Sequence, residues 1–466
     1  MLIFRIITRW SLLKNSIVAF FLLIICYHPC KAATYFIDAA RPDNTGSGVS
    51  WISAKKTIAA GIALLVAGDT LKIASGTYDE PIHVNKSGTS TNWITIETDD
   101  KAGNPGTVTI TGRVIRSGEY SGVLIDHSNG SPDYIKIDGR KPNGFIIQAA
   151  SDITYGVRVI SYEGDAGTDV TIQYVYVTGN LTGGEPISIQ TVGYSRVTVA
   201  YCKTDTTNAS MQIEVGSDSG GSSSPNPSSI AWIHHNEVSG TTNSGYSGIS
   251  ILRFDYAEVY DNYFHDLGLR ASESGYGPSY IRVRQAHDNK FYNNILWMDH
   301  ADAALTAFQT RGQTGGTYGA YRNQFYNNTV HIGTTPSSIA FVNDNGTGNE
   351  FFNNLVIGNV DSFTESYGDD QGSGNKLYNN VVSGTVTSWF ASSGIQGSFS
   401  VTTPNFSSQG TSFIALSGSK PSPYWSLTAS KDGSPNNLLT VDYLGFPRAS
   451  IPDVGAFEFN PGGKVE

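Results

Sequence analysis

The sequence predicts an all-β solenoid, a parallel β-helix, and three observations lead there. A short motif recurs, as Val259-Tyr260-Asp261-Asn262-Tyr263-Phe264, Phe291-Tyr292-Asn293-Asn294-Ile295-Leu296, Phe325-Tyr326-Asn327-Asn328-Thr329-Val330, Phe351-Phe352-Asn353-Asn354-Leu355-Val356 and Leu377-Tyr378-Asn379-Asn380-Val381-Val382, with a weaker copy at Ile233-His234-His235-Asn236-Glu237-Val238. Its second Asn falls at 236, 262, 294, 328, 354 and 380, spacings of 26, 32, 34, 26 and 26 residues. Such a period marks a stacked repeat. Each copy sets aromatic and β-branched residues around a turn-prone Asn pair, and no useful helical 3.6 pattern appears after position 70.

One coil of ~26 residues holds about three short strands, and coils stacked ~4.8 Å apart pair each strand with those above and below. The repeat Asn residues are then expected to form a ladder inside a turn, exchanging side-chain hydrogen bonds along the axis. The 32- and 34-residue coils carry insertions, which in a solenoid loop out on one face, often the binding face.

Taken in order, residues 1–32 read as a signal peptide. Arg5, Arg9 and Lys14 form the basic region, Ser16 to Cys26 the apolar one, and cleavage is expected before Ala33. The protein is therefore expected to be secreted, periplasmic or at the cell surface, with no membrane association after cleavage. Cys26 and Cys30 leave with the leader, so Cys202 cannot make an internal disulfide. Tyr35-Phe36-Ile37-Asp38 is a first strand, Lys56 to Val66 an amphipathic capping helix, and Gly68-Asp69-Thr70-Leu71-Lys72-Ile73 a turn and strand. Gly76-Thr77-Tyr78, Ser87-Gly88-Thr89, Trp93-Ile94-Thr95-Ile96 and Val108-Thr109-Ile110-Thr111-Gly112 follow. Coils continue through Val157-Arg158-Val159 and Met211 to Val215, and the repeats end near Val382. The helix domain spans 33–425 and a capping segment 426–466. Within the latter, Asp453 and Glu458 are assigned to an end cap, since a solenoid needs its last coil covered. The net charge of −10 over 466 residues supplies no basic footprint for nucleic acid. A monomer is expected.

Residues 35–112 resemble the N-terminal region of secreted right-handed β-helix proteins, including the polysaccharide lyases related to chondroitinase B and alginate lyase. There a helix and a Gly-Asp-Thr strand precede Gly-Thr-Tyr and Ser-Gly-Thr turns and an Ile-Thr-Ile strand. The closing Asp453-Val454-Gly455-Ala456-Phe457-Glu458 resembles the final strand of many such proteins. The resemblance implies a right-handed helix with an N-terminal helical cap and a C-terminal β cap. It also implies a place for catalysis. In the chondroitinase-B-like family a Lys base precedes one repeat Asn by about nine residues and an Arg precedes the next by about ten, positions held here by Arg253 and Arg284. Arginine is a poor base near neutral pH. That family's calcium-holding carboxylates fall near Tyr246 and Gly248, so no cofactor is expected.

Strand alternation turns Ile281 and Val283 inward and Tyr280, Arg282 and Arg284 outward. By the same rule Arg158, Ser188, Gln190, Gln212 and Glu214 face out. This suits an acidic polysaccharide, because guanidinium groups pair bidentately with uronate carboxylates. In β-elimination that pairing makes the C5 proton removable by a base. The expected catalytic residues are Arg284, Arg253, His300 and Tyr280, with Arg282, Glu214, Gln212, Arg158 and Arg311 binding substrate. The competing expectation for the arginines is ordinary solvated surface ion pairing. His265, Asp266, Glu273, His287, Asp299, His300 and Asp302 are further acids and bases in and around the long coils, and Tyr246, Tyr276, Tyr280 and Tyr318 are sugar-stacking or base candidates. A lyase on a uronate-containing glycan leads. A glycoside hydrolase using Asp299, Asp302 or Glu214, and a non-catalytic glycan-binding or adhesive β-helix, are the alternatives. Tyr367-Gly368-Asp369-Asp370 matches only the double Asp of polygalacturonase-type hydrolases.

Overall fold

The computed structural model describes residues 32–126, 133–150, 152–160, 168–190, 195–216, 229–241, 247–268, 279–298, 306–312, 319–332, 339–344, 346–357, 360–365, 375–378, 380–383, 386–388, 439–442, 445, 447 and 455–456. Among them, three long sheets run the length of a parallel β-helix. The first has twelve strands, from Thr34–Ile37 to Lys376–Tyr378, and the second eleven, from Gly76–Tyr78 to Val381–Ser383. The third runs from Ile82–Val84 to Val386–Ser388 and has twelve strands, including the antiparallel hairpin arm Val114–Arg116. Successive coils visit the three sheets in turn, so each strand pairs in parallel with its counterpart one coil away.

Like residues stack because the register is in phase. On the first sheet Ile96, Ile137, Ile172, Val199, Ile233, Val259, Phe291, Phe325 and Phe351 form one inward column, all fully buried. The Phe291 and Phe325 rings stack at 4.6 Å. The early coils are filled by Ile and Val, and the later ones, which carry the recurring motif, by Phe.

The expected Asn ladder is present. The side-chain carbonyl of Asn328 accepts from the backbone and side-chain amides of Asn294, both at 3.0 Å. Its own amide donates to Asn354 and to the Phe291 carbonyl, each at 2.9 Å. The same exchange links Asn236, Asn262, Asn294, Asn328, Asn354 and Asn380, and Asn236 accepts from the amide of Cys202 one coil earlier. A second ladder, Asn289, Asn323, Asn349 and Asn375, lines the turn from the third sheet back to the first. In the motif the first Asn has a different task. Asn293, Asn327 and Asn353 adopt φ near +53°, and Tyr174, Tyr201, His235 and Asp261 hold the same left-handed position in earlier coils. Asn tolerates that backbone better than most residues.

A short helix over Ile58–Ile62 packs on the first coil. The Thr57 hydroxyl accepts from Ala60 N (3.3 Å) and the Glu80 carboxylate from Ile58 N (2.8 Å), capping its N-terminus. A side chain at Gly61 would overlap Ile37 and Leu71. At the other end of the chain, described residues of the closing segment lie along the flank. Asn293 donates to Val441 O (3.3 Å), Asn327 to Gly455 O (3.4 Å), and Gly455 N to Asn353 O (2.8 Å).

Asn328→Ala removes four buried hydrogen bonds at once and strands their partners. The expected loss is about 3 kcal/mol or more, read as a lowered urea midpoint; a loss below about 1 kcal/mol would show the ladder to be incidental to stability.

Candidate active site

The third sheet carries the polar constellation. Its parallel register sets Leu124, Arg158, Ser188, Glu214, Ser250, Arg282 and Gln309 in one column. The neighbours of this column on each strand, such as Ile187, Ile189, Ile213, Val215, Ile281 and Val283, belong to the core, so the column points outward. It is nevertheless sunk below the surface: Ser188 is fully buried, and Glu214 and Arg282 are 5% and 8% exposed. Solvated surface ion pairing is therefore excluded for Arg158 and Arg282.

Two polar groups of opposite character share this face. In the earlier coils, the Arg158 guanidinium is paired with Glu119, reaches Gln190 Oε1 at 3.4 Å and lies 4.0 Å over the Tyr155 ring. The Tyr155 hydroxyl donates to Glu119 Oε1 (3.3 Å). Burial above all, then the charge of Glu185, raises the Tyr155 phenol well above its ordinary range, so it stays protonated. Ser188 Oγ donates to Glu214 Oε2 (3.2 Å). Glu185 immediately precedes the strand Ile187–Gln190 and is itself buried. Its Oε2 meets no hydrogen-bond partner among the described groups. Burial, and next the charge of Glu214, push its carboxyl up to about 8. At neutral pH Glu185 is thus held as a protonated acid beside Glu214.

Two coils further along, ~10 Å at ~4.8 Å per coil, the face turns basic. Arg282 follows Ser250 in the outward column, and in the adjacent column Arg284 is in register with Leu252 and Arg311. Arg253, at φ +51°, donates from Nε to Gln285 Oε1 (2.7 Å), and its backbone amide donates to Arg284 O. The structure thus gathers Arg253, Arg282, Arg284 and Arg311 at one stretch of the sheet.

Two expectations are corrected. Tyr280 and Gln212 point inward. Where the chain enters the third sheet, two successive residues face the core, and alternation begins only after them. Tyr280 is fully buried within the core cluster, and its hydroxyl donates to Trp297 O (3.0 Å). Gln212 is fully buried and accepts from Thr206 Oγ1 (3.1 Å). In the same column of other coils stand Gly122, Gly156 and Gly248, where a side chain would strike core residues Ile147, Val177 and Leu267. Glu119 and Glu185 were not among the expected site residues. A lone Glu between glycine and proline ahead of an Ile-Ser-Ile strand, in a chain only 15% charged, was the signal available. His300, Asp299, Asp302, Glu273, Tyr246, Tyr276, Tyr318 and Tyr367 to Asp370 lie outside the described residues. So does the catalytic geometry expected of them. Among the described residues, no group of three or more His, Cys, Asp or Glu side chains is arranged to hold a metal.

His265 and His287 lie away from this face. His287 Nδ1 is 3.6 Å from Asp255 Oδ2, and its ring stacks on Tyr321. His265, on the second sheet, is held between Glu237 Oε1 (3.0 Å) and Asp266 Oδ2 (2.8 Å) at a β-bulge, and Lys203 Nζ completes the group at 2.7 Å from Glu237.

No protein-family model matches the chain, and no curated protein matches it. Solved structures match its fold. The GH136 lacto-N-biosidase from Eubacterium ramulus aligns with a TM-score of 0.58 at 14% identity, over 79% of this chain and 68% of that one. Pectate lyase Pel9A aligns at 0.50 and 13% identity, over 92% and 96%. XylC, solved with xylose, aligns at 0.50 and 10% identity, over 92% and 98%. What is shared at these identities is the architecture: the chain is a parallel β-helix similar in build to a polysaccharide lyase.

The His265 group sets a pH dependence. Burial pulls the His265 imidazolium down, but its bonds to Glu237 and Asp266 outweigh this and raise it above 6.5. Its contribution to stability is whole below about pH 6.5 and fades as pH rises through the folded value. Glu237, held at about 2 chiefly by the His265 hydrogen bond, contributes fully above its ordinary 4.5 and loses this toward pH 2. The pair is therefore at full strength between roughly pH 4.5 and 6.5. His265→Gln is expected to flatten the fall in Tm between about pH 6 and 8; an unchanged slope would assign that fall elsewhere.

Proposed function

We propose that this chain is a secreted carbohydrate-active enzyme that hydrolyses an acidic polysaccharide laid along the outer face of the third sheet. The observation that carries the reading is the buried carboxyl Glu185, pushed up to about 8 by burial and by the charge of its buried neighbour Glu214. A carboxyl kept protonated beside a second carboxyl is how one site supplies both an acid and a base at neutral pH. Glu185 donates its proton to the glycosidic oxygen as that bond breaks. Glu214 supplies the carboxylate at the anomeric carbon. Glu214 then forms a glycosyl ester, and water, deprotonated by Glu185, hydrolyses it. Arg158 and Glu119 hold the cluster in place, and Ser188 orients Glu214. Arg282 and Arg284, two coils from Glu214, and Arg311, three coils from it, bind carboxylates of the glycan at neighbouring subsites. Export rests on the leader-like residues 1–32.

A second reading rests on those arginines. A uronate whose carboxylate is neutralised by Arg282 and Arg284 becomes a substrate for β-elimination. The pectate lyase and the lacto-N-biosidase, by their names, carry out both classes of cleavage on folds of this build.

The two readings part in one experiment. The protein is incubated with alginate, pectate, glycosaminoglycans and ulvan in turn, following reducing ends and the ultraviolet absorbance of unsaturated uronates. Hydrolysis raises reducing ends alone, with retained anomeric configuration. Glu185→Gln and Glu214→Gln each lower kcat by about 10³-fold, and wild-type kcat/KM falls above pH about 8 as Glu185 loses its proton. An ultraviolet rise abolished by Arg284→Ala would replace hydrolysis with elimination. Silence in both channels would leave a glycan-binding module.

A further inference from the structure

The weakest copy of the repeat holds a feature that glycan cleavage does not use. At the turn from the first sheet to the second, His234 ends the strand Ile230–His234 and His235 takes the left-handed turn position at φ +54°. This backbone brings the two Nδ1 atoms within 2.9 Å of one another, with the rings at 84°. A metal held by two imidazoles at about 2.0–2.1 Å sets their nitrogens about 2.9 Å apart when they meet at a right angle, and about 3.3 Å apart at the tetrahedral angle. The observed distance is the right-angled one. It is equally the distance of one shared proton, which is the group a metal would displace, the proton moving to an Nε2.

The surroundings favour the same use. Asp261 Oδ2 faces the far nitrogen of His235, Nε2, at 3.8 Å. A carboxylate there draws the ring proton to Nε2 and leaves the Nδ1 lone pair for a metal. Tyr260 stacks on His234 at 4.8 Å, and Tyr201 tilts over His235 at 4.8 Å. The two rings are thereby held in place, while the His235 side chain remains 40% exposed on the open side. Neighbouring coils place Tyr201, Asp261 and Asn293 at the position of His235, so the imidazole pair belongs to this coil among the described ones.

We infer that His234 and His235 form a surface site for a tetragonal divalent metal ion, copper(II) by preference, bound through both Nδ1 atoms with water in the remaining positions. Right-angled nitrogen ligation suits copper(II) over zinc, and copper(II) also heads the ordinary affinity order. The site lies on a different flank from Glu185 and Glu214 and stands independently of the proposed hydrolysis.

The test is a titration of the folded protein with copper(II) in the presence of a competing weak chelator, followed by calorimetry and electron paramagnetic resonance. One copper per chain is expected, with splitting from two imidazole nitrogens. His235→Asn keeps a residue that the same turn position already accepts in later coils, so the fold is preserved. It is expected to weaken binding at least tenfold and leave at most one nitrogen in the spectrum. Asp261→Asn is expected to weaken it by a smaller factor. Equal affinity in the wild type and His235→Asn, or a wild-type spectrum with oxygen ligands alone, would overturn the assignment.

Discussion

Everything in this molecule depends on the demand that buried amides be matched from one coil to the next. A turn inside a solenoid has backbone groups that no strand pairs, and at the repeat position their neighbours are the same groups one coil up and down. Asn answers this because its side chain has both a carbonyl and an amide. Asn262, Asn294, Asn328 and Asn354 each accept from the coil before and donate to the coil after. The ladder locks the phase of successive coils. Once phase is locked, every outward residue on the third sheet has a determined neighbour, and so Arg158, Ser188 and Glu214 stand on adjacent rungs although about 30 residues separate each from the next.

The ladder was legible because one chemical need recurs at one spacing. The second ladder obeys the same logic at Asn289, Asn323, Asn349 and Asn375, yet it escaped a reading keyed to aromatic-Asn-Asn copies, because its residues stand singly before a charged or amide residue and an aromatic or Leu. Strand alternation placed Arg158, Glu214 and Arg282 on the outer face and failed for Tyr280 and Gln212. Alternation assumes an extended backbone, whereas the chain bends as it enters the third sheet, and at a bend two consecutive side chains share a side. Tyr280 also has a reason of its own to go inside. Later coils pack Phe264 and Phe291, and a large ring whose hydroxyl finds the Trp297 carbonyl fills that space without stranding a polar group. Glu185 was invisible to pattern because it precedes its strand, and its chemistry arises from neighbours on other coils: Glu214 ahead of it, Arg158 and Glu119 behind.

On the outer face of the third sheet the buried carboxyls Glu185 and Glu214 stand beside Arg158 and Glu119 in the early coils, and Arg282, Arg284 and Arg311 follow further along. A segregated arrangement of buried charge is costly unless each group is compensated locally. The early cluster is compensated in two ways: Arg158 takes up Glu119, and Glu185 keeps its proton. A buried carboxyl that can stay neutral is the less expensive neighbour for Glu214, and the neutral state is also the reactive one for an acid catalyst.

This compensation bears on which cleavage the face suits. Elimination needs a cation on the substrate carboxylate and an unprotonated base at C5. At the early coils the cation, Arg158, is already engaged by Glu119, Gln190 and the Tyr155 ring, and Glu185, its carboxyl raised by burial, carries a proton to give, not a lone pair to take one. In the proposed hydrolysis those coils donate the proton to the leaving oxygen. The arginine stretch ~10 Å along the axis gathers guanidiniums, the group that pairs with carboxylates. A glycan spanning both would be held by its charges at one end and cut at the other, and hydrolysis places each task on the residues whose protonation already suits it.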